Sequence, residues 1–133
     1  EAKVISEAYW KRNWSVKAVS DSMITKEVKG RTWQFNPVSK LWYSLRSDKD
    51  KFSTLCQGTG TYLFDMWVGF ILKEREQLTA NFHDEIILEI EKGNRDKCKK
   101  LLEKAVQKVN SMLSLNRELQ VDVQFGENYS EIH

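Results

Sequence analysis

Along the first 25 positions apolar side chains recur as Val4, Ile5, Ala8, Trp10, Val16, Val19 and Met23. That is the spacing of a helix with one buried face, and it is interrupted around Asn13-Trp14, so two short helices are expected. The period then changes. Between Lys26 and Leu41, Val28, Thr32 and Gln34 alternate loosely, and Gly30 and Pro37, the only proline, punctuate the run as in a surface strand or hairpin. From Ser47 to Leu72 a helical stripe returns through Phe52, Leu55, Cys56, Leu63, Phe64, Trp67 and Ile71. One long helix is expected there, strained or bent near Gly58 and Gly60.

Two apolar segments, Leu78 to Phe82 and Ile86 to Ile90, flank His83-Asp84-Glu85. Their short separation and polar centre predict a β-hairpin with an acidic turn. Gly93 ends it, and Asn94 can cap the next helix. Asn94 to Leu115 carries Cys98, Leu101, Leu102, Ala105, Val106, Val109, Met112 and Leu113 on one face, with lysines opposite. Leu119, Val121, Val123 and Phe125 alternate with polar residues as in a half-buried strand, which Gly126 closes. The fold class expected from this order is α+β, with helices packed on an antiparallel sheet.

Composition narrows the setting. A chain of 133 residues with 41% hydrophobic side chains can bury one moderate core. The longest apolar stretch, Tyr62 to Leu72, contains Asp65 and is far shorter than the roughly 20 residues that span a bilayer, so no membrane partner is expected. Cys56 and Cys98 lack CxxC spacing, which argues against a disulfide framework or a zinc site and for a reducing cytoplasm. Net charge is only +2, but lysines and arginines gather between Lys26 and Lys51, beside Trp33, Trp42 and Tyr43. Acidic residues concentrate in Asp84 to Glu91 and near the C-terminus. This asymmetry suits a face that binds a phosphate backbone beside a carboxylate centre, and scattered surface charge accounts for it as well.

Two constellations carry candidate chemistry. Paired strands can hold a carboxylate while their turn exposes it to substrate oxygens, and Asp84 and Glu85 meet that description. Successive residues of an extended backbone point to opposite sides, so at most one of the two is expected as a direct metal ligand unless the turn bends sharply. Upstream, Lys49, Ser53 and Gln57 stand at i, i+4 and i+8, a polar stripe able to follow a duplex and reach minor-groove acceptors common to all base pairs. A solvated acidic turn and a solvated helix face explain the same residues, taken singly.

Taken in order, several segments resemble family-A DNA polymerases, the group that includes the bacterial polymerase I type and bacteriophage replicases. Cys56-Gln57-Gly58-Thr59-Gly60 resembles the family's QGT segment. Phe82-His83-Asp84-Glu85-Ile86 resembles its VHDE motif C, and Phe125-Gly126-Glu127-Asn128-Tyr129 through His133 resembles its C-terminal ending. Lys29-Gly30-Arg31 is similar to the glycine-arginine ribbon before the QGT helix, and the opening helix through Tyr9, Asn13 and Val16 is similar to the segment after motif B. The resemblance spans nearly the whole chain. It divides the chain into residues 1–46, the end of the fingers with the basic ribbon, and 47–133, a palm segment with the motif C hairpin.

The resemblance implies a DNA-directed DNA polymerase that uses two magnesium ions. In it Asp84 binds metal, Glu85 supports it, His83 lies near the primer end and His133 packs near the active site. Gln57, Ser53, Lys49, Arg31 and Lys29 would contact primer-template DNA. Lys49 and Ser53 stand where the family commonly has arginine and asparagine, so their grip is weaker: lysine loses the bidentate fork and serine has less reach. Tyr62 and Asp65 also depart from the family pattern and receive no role. The five tryptophans are expected mainly to pack, with Trp33 or Trp42 able to stack on a base.

Nothing in the sequence matches motif A, with its other metal aspartate, or motif B, which holds the incoming nucleotide. The chain is expected to start just after motif B, in mid-helix, and to need an N-terminal portion or subunit, natural or severed, for activity on dNTPs. A bacteriophage source, and hence the host cytoplasm, is the expectation from the compact ending and Trp67. The alternative is a non-enzymatic nucleic-acid-binding module derived from a polymerase palm.

Overall fold

The computed structural model describes residues 2–75 and 78–132. Its elements run α1 (Ala2–Arg12), α2 (Trp14–Asp21), β1 (Thr25–Val28), β2 (Arg31–Phe35), β3 (Trp42–Leu45), α3 (Lys51–Leu72), β4 (Ala80–Phe82), β5 (Glu85–Ile87) and α4 (Arg95–Met112), with 3₁₀ turns at Asp48–Asp50 and Tyr129–Glu131. The fold class is α+β, as the patterning predicts. Residues cluster into two compact units, Glu1–Gly60 and Thr61–His133, so the division falls within α3. No helix among the described residues is long and apolar enough to cross a membrane.

In the first unit the break between α1 and α2 lies where it was expected. At this break Asn13 donates both its backbone N–H and its side-chain amide to the Tyr9 carbonyl, each at 2.9 Å. These helices depart from expectation in their burial: Val4, Ile5, Tyr9 and Trp14 are exposed, Trp14 at 69%, so Trp10 and Trp14 are not core residues of this chain. The ribbon is a three-stranded antiparallel sheet in the order β1-β2-β3, one strand more than the alternation suggests. Lys29 (φ 51°) and Gly30 (φ 70°) form the two-residue turn between Val28 and Arg31. Left-handed conformation at both positions is what a type I′ hairpin turn requires, and its twist matches that of the strands.

Three polar side chains fasten this sheet to the first half of α3. Gln34, 1% exposed, donates from Nε2 to the Lys51 carbonyl at 2.9 Å. Asn36, equally buried, donates to Thr59 Oγ1 at 2.9 Å and accepts from the backbone N–H groups of Val38 and Ser39 at 2.9 and 3.1 Å. One amide thus closes the β2–β3 loop and ties it to the helix, which offsets the cost of burying it. Tyr43 donates its hydroxyl to the Gly58 carbonyl at 3.2 Å.

The second unit is built on a core of Ile71, Cys98, Leu102 and Ala105, lined by Trp67, Phe70, Leu78, Ile86, Leu88, Val121 and Val123. Ile71 and Val109 are fully buried, each contributing about 1.5–3 kcal/mol. Trp67 packs as expected and donates its indole N–H to the Leu102 carbonyl at 3.2 Å. The predicted α4 face is the buried one, through Cys98, Leu102, Ala105 and Val109. Asn94 occupies the position before α4 but makes no cap hydrogen bond; its amide donates to the Glu91 carboxylate at 3.2 Å instead.

The predicted strand at Leu119–Phe125 is corrected. Burial alternates as expected, with Leu119, Val121, Val123 and Phe125 half-buried between exposed neighbours, yet the segment joins neither sheet. Its inward side chains pack on the core while Asn110 stands in for a ladder partner. Its amide donates to the Leu119 carbonyl and its carbonyl accepts from the Leu119 N–H, both at 2.9 Å. Beyond Gly126 the tail folds back: Glu131 accepts from the Glu127 backbone N–H and the Asn128 amide, both at 2.8 Å. Glu127 pairs with Lys92 at 2.9 Å and Arg95 at 3.6 Å. His133 lies outside the described residues.

Candidate metal and nucleic-acid site

The hairpin is the element that positions the acidic tripeptide. β4 and β5 pair with Ala80 opposite Ile87 and Phe82 opposite Glu85, leaving His83 and Asp84 as a two-residue turn. His83 takes φ 35°, a left-handed conformation that costs a non-glycine residue about 1 kcal/mol or more. The tightness of the turn sets Asp84 at its tip, exposed, whereas Glu85 is the first residue of β5 and half-buried. The two carboxylates therefore differ in exposure, because one lies in the turn and the other in the strand. Among the described residues no group of three His, Cys, Asp or Glu side chains converges on a point that could hold a metal. Asp84 is a single exposed carboxylate, and a magnesium ion held by one or two carboxylates completes its shell with waters and substrate phosphates.

In the first unit the polar stripe needs one correction. Ser53 and Gln57 lie on α3, both exposed and four residues apart, but Lys49 sits in the 3₁₀ turn before it. With about three residues per turn there, Lys49 leaves the helical register assumed for it. Ser53 donates its hydroxyl to the Asp50 carbonyl at 3.0 Å, so its lone pairs rather than its proton remain for an external partner. Gln57 is exposed and carries two amide donors, the type of group that minor-groove acceptors require. Lys29 and Arg31 are exposed at the β1–β2 turn.

The residues flanking Gln57 have structural work. A Cβ on Gly58 would lie 2.8 Å from Tyr43 Cζ, closer than side chains tolerate, so the ring packs directly on the helix backbone. Thr59 receives the Asn36 amide. Gly60, by contrast, has open space where a Cβ would stand. Sequence reasoning passed over Gln34, Asn36 and Tyr43, although they set the sheet against the helix that presents Gln57. The one signal for them was Asn36-Pro37, whose turn chemistry points to an asparagine bonding its own loop.

Cys98 is outside any site: burial pushes its thiol upward in pKa, opposed in part by the Arg75 charge. Cys56 is exposed. No protein-family model matches the chain, and no curated protein or solved structure matches it either.

Proposed function

We infer that this chain forms part of a DNA-directed DNA polymerase of the family-A type, in which Asp84 contributes a carboxylate to magnesium and Gln57 contacts the minor groove of primer-template DNA. The observation that carries the reading is the two-residue turn of the β4–β5 hairpin, which holds a motif C-like His83-Asp84-Glu85 with Asp84 exposed at the tip. Exposed Gln57 supports the DNA contact as a donor, while Ser53, one turn away on the same helix face, can accept only from a guanine amino group. Lys29, Arg31 and Lys49 supply positive charge for phosphates. In this reading Glu85 supports the metal site from nearby and His83 lies near the primer end.

When bound, the metal ions supply the charge that stabilises nucleotidyl transfer. This chain offers one carboxylate to them, so the second aspartate and the residues that hold the dNTP belong to a polypeptide bearing motifs A and B. Primer extension by the 133-residue chain assembled with such a polypeptide tests the reading. Asp84→Ala should lower extension by about 10³-fold, the equivalent of the several kcal/mol a metal ligand secures, with duplex binding retained. Unchanged extension in that variant, or full extension by the isolated chain, would overturn it.

A further inference from the structure

The outer face of the three-stranded sheet has a composition that neither packing nor solvation asks for. The register sets Lys26 opposite Trp33, Trp33 opposite Ser44, Phe35 opposite Trp42 and Val28 opposite Arg31. Because strand side chains alternate, Gln34 and Tyr43, which hydrogen-bond to α3, define the inner face. The opposite face then carries Lys26, Val28, Arg31, Trp33, Phe35, Trp42 and Ser44, and no carboxylate. An antiparallel sheet usually turns polar residues to water; this one turns three large aromatics outward.

Those aromatics are grouped and partly open. Phe35 and Trp42 sit 5.3 Å apart between ring centroids at 53°, and Lys26 Nζ stands 3.8 Å over the Trp42 ring. Trp33, Phe35 and Trp42 are half-buried, while Lys26, Lys29 and Arg31 are exposed around them. Flat π-surfaces among cations match a partner that alternates π-surfaces with anions. Lysine is depleted at protein–protein interfaces, whereas stacking platforms with basic surrounds are the usual means of holding single strands. A duplex offers phosphates but no base faces.

We propose that this sheet face binds single-stranded nucleic acid, with Trp33 stacking on a base, Lys29 and Arg31 pairing with phosphates, and the Lys26 side chain leaving the Trp42 ring for a phosphate so that Trp42 takes a second base. Its aromatic part lies on the side of the sheet away from the helix that carries Gln57; it shares Lys29 and Arg31 with the polymerase reading and rests on that reading for the choice of DNA. An unpaired template stretch is the natural ligand.

The test is fluorescence anisotropy of a labelled oligothymidylate with the full chain, across a salt series and against a duplex of equal length. Trp33→Thr and Trp42→Thr keep strand propensity and should each weaken single-strand binding about 5- to 150-fold, the equivalent of about 1–3 kcal/mol per stacked base. Lys26→Gln and Arg31→Gln leave the aromatics in place and should each flatten the salt dependence by about 0.7 in log–log slope. Lys99→Gln, an exposed lysine of α4, should change nothing. Oligothymidylate affinity indifferent to all four outer-face substitutions, or binding confined to duplex, would overturn the proposal. So would a wild-type chain that ignores the oligonucleotide while Trp33→Thr blocks assembly with the complementary polypeptide, since the face would then be a protein interface. The polymerase reading fails separately, on the Asp84→Ala extension assay.

Discussion

Two glycines two residues apart in α3 should respond to alanine with opposite signs. In a helix interior, Gly→Ala ordinarily stabilises by roughly 1 kcal/mol, because the unfolded chain loses freedom and the helix gains a better former. At Gly60 nothing lies within 4 Å of the new Cβ, so that gain should appear nearly whole, about 0.5–1 kcal/mol. At Gly58 the new methyl would meet Tyr43 Cζ at 2.8 Å and its two neighbouring ring carbons at 3.0 and 3.1 Å. The ring cannot yield without cost, since its hydroxyl donates to the Gly58 carbonyl at 3.2 Å and lies 3.3 Å from the Ser39 hydroxyl. Overpacking costs about 1–3 kcal/mol and a strained hydrogen bond about another 1, against the roughly 1 returned by propensity. Gly58→Ala should therefore destabilise by about 1–3 kcal/mol. Urea unfolding followed by far-UV circular dichroism measures both variants, and the same substitution in a Tyr43→Ala background isolates the contact. There Gly58→Ala should turn stabilising, a coupling of about 2 kcal/mol between residues in direct contact. If Gly58→Ala stabilises the unaltered chain as Gly60→Ala does, the packing account of the QGT-like segment is wrong.

Further outcomes follow from the second unit. Asn110→Leu removes both hydrogen bonds to Leu119 and should cost about 1–3 kcal/mol, with amide exchange across 119–125 quickening; unchanged exchange would show that the segment is held by its apolar contacts alone. With a thiol reagent, exposed Cys56 should react first and Cys98, 8% exposed, only as the chain opens, so equal rates would contradict the core placement. The folded-state pKa of Cys98 is raised above the ordinary 9.0, so its contribution to stability is present below that value and is lost as pH rises through the folded pKa. Cys98→Ala should remove this alkaline limb from the stability profile, measured by urea midpoints across the pH range.

Much of the architecture was legible along the chain because periodicity is a local property. The 3.6-residue stripe of α4 named its buried face, and the pair of apolar segments around His83-Asp84-Glu85 named both a hairpin and its exposed tip. Alternation at Leu119–Phe125 correctly predicted which side chains turn inward. Pairing is another matter, because a ladder depends on a neighbour distant in sequence, and here the neighbour is the side chain of Asn110. β3 escaped notice for a related reason: Trp42 to Leu45 is too short to show a period and becomes a strand by hydrogen-bonding to β2. Lys49 was assigned to a helix that starts two residues later, at Lys51, since helix starts depend on local geometry that spacing alone does not report.

For the candidate site, residue types and spacing alone determined that a carboxylate stands in a tight turn and that Ser53 and Gln57 share a helix face. Only the tertiary structure decided what surrounds them. It made Gly58 a packing requirement of Tyr43, turned the Ser53 hydroxyl into an acceptor, buried Gln34 and Asn36 to hold the helix, and gathered Lys26, Trp33, Phe35 and Trp42 from three strands onto one face. The physical reason is that backbone propensities act between residues a few positions apart, whereas close contact, burial and the choice of hydrogen-bond partner are set by segments that meet only when the chain has folded.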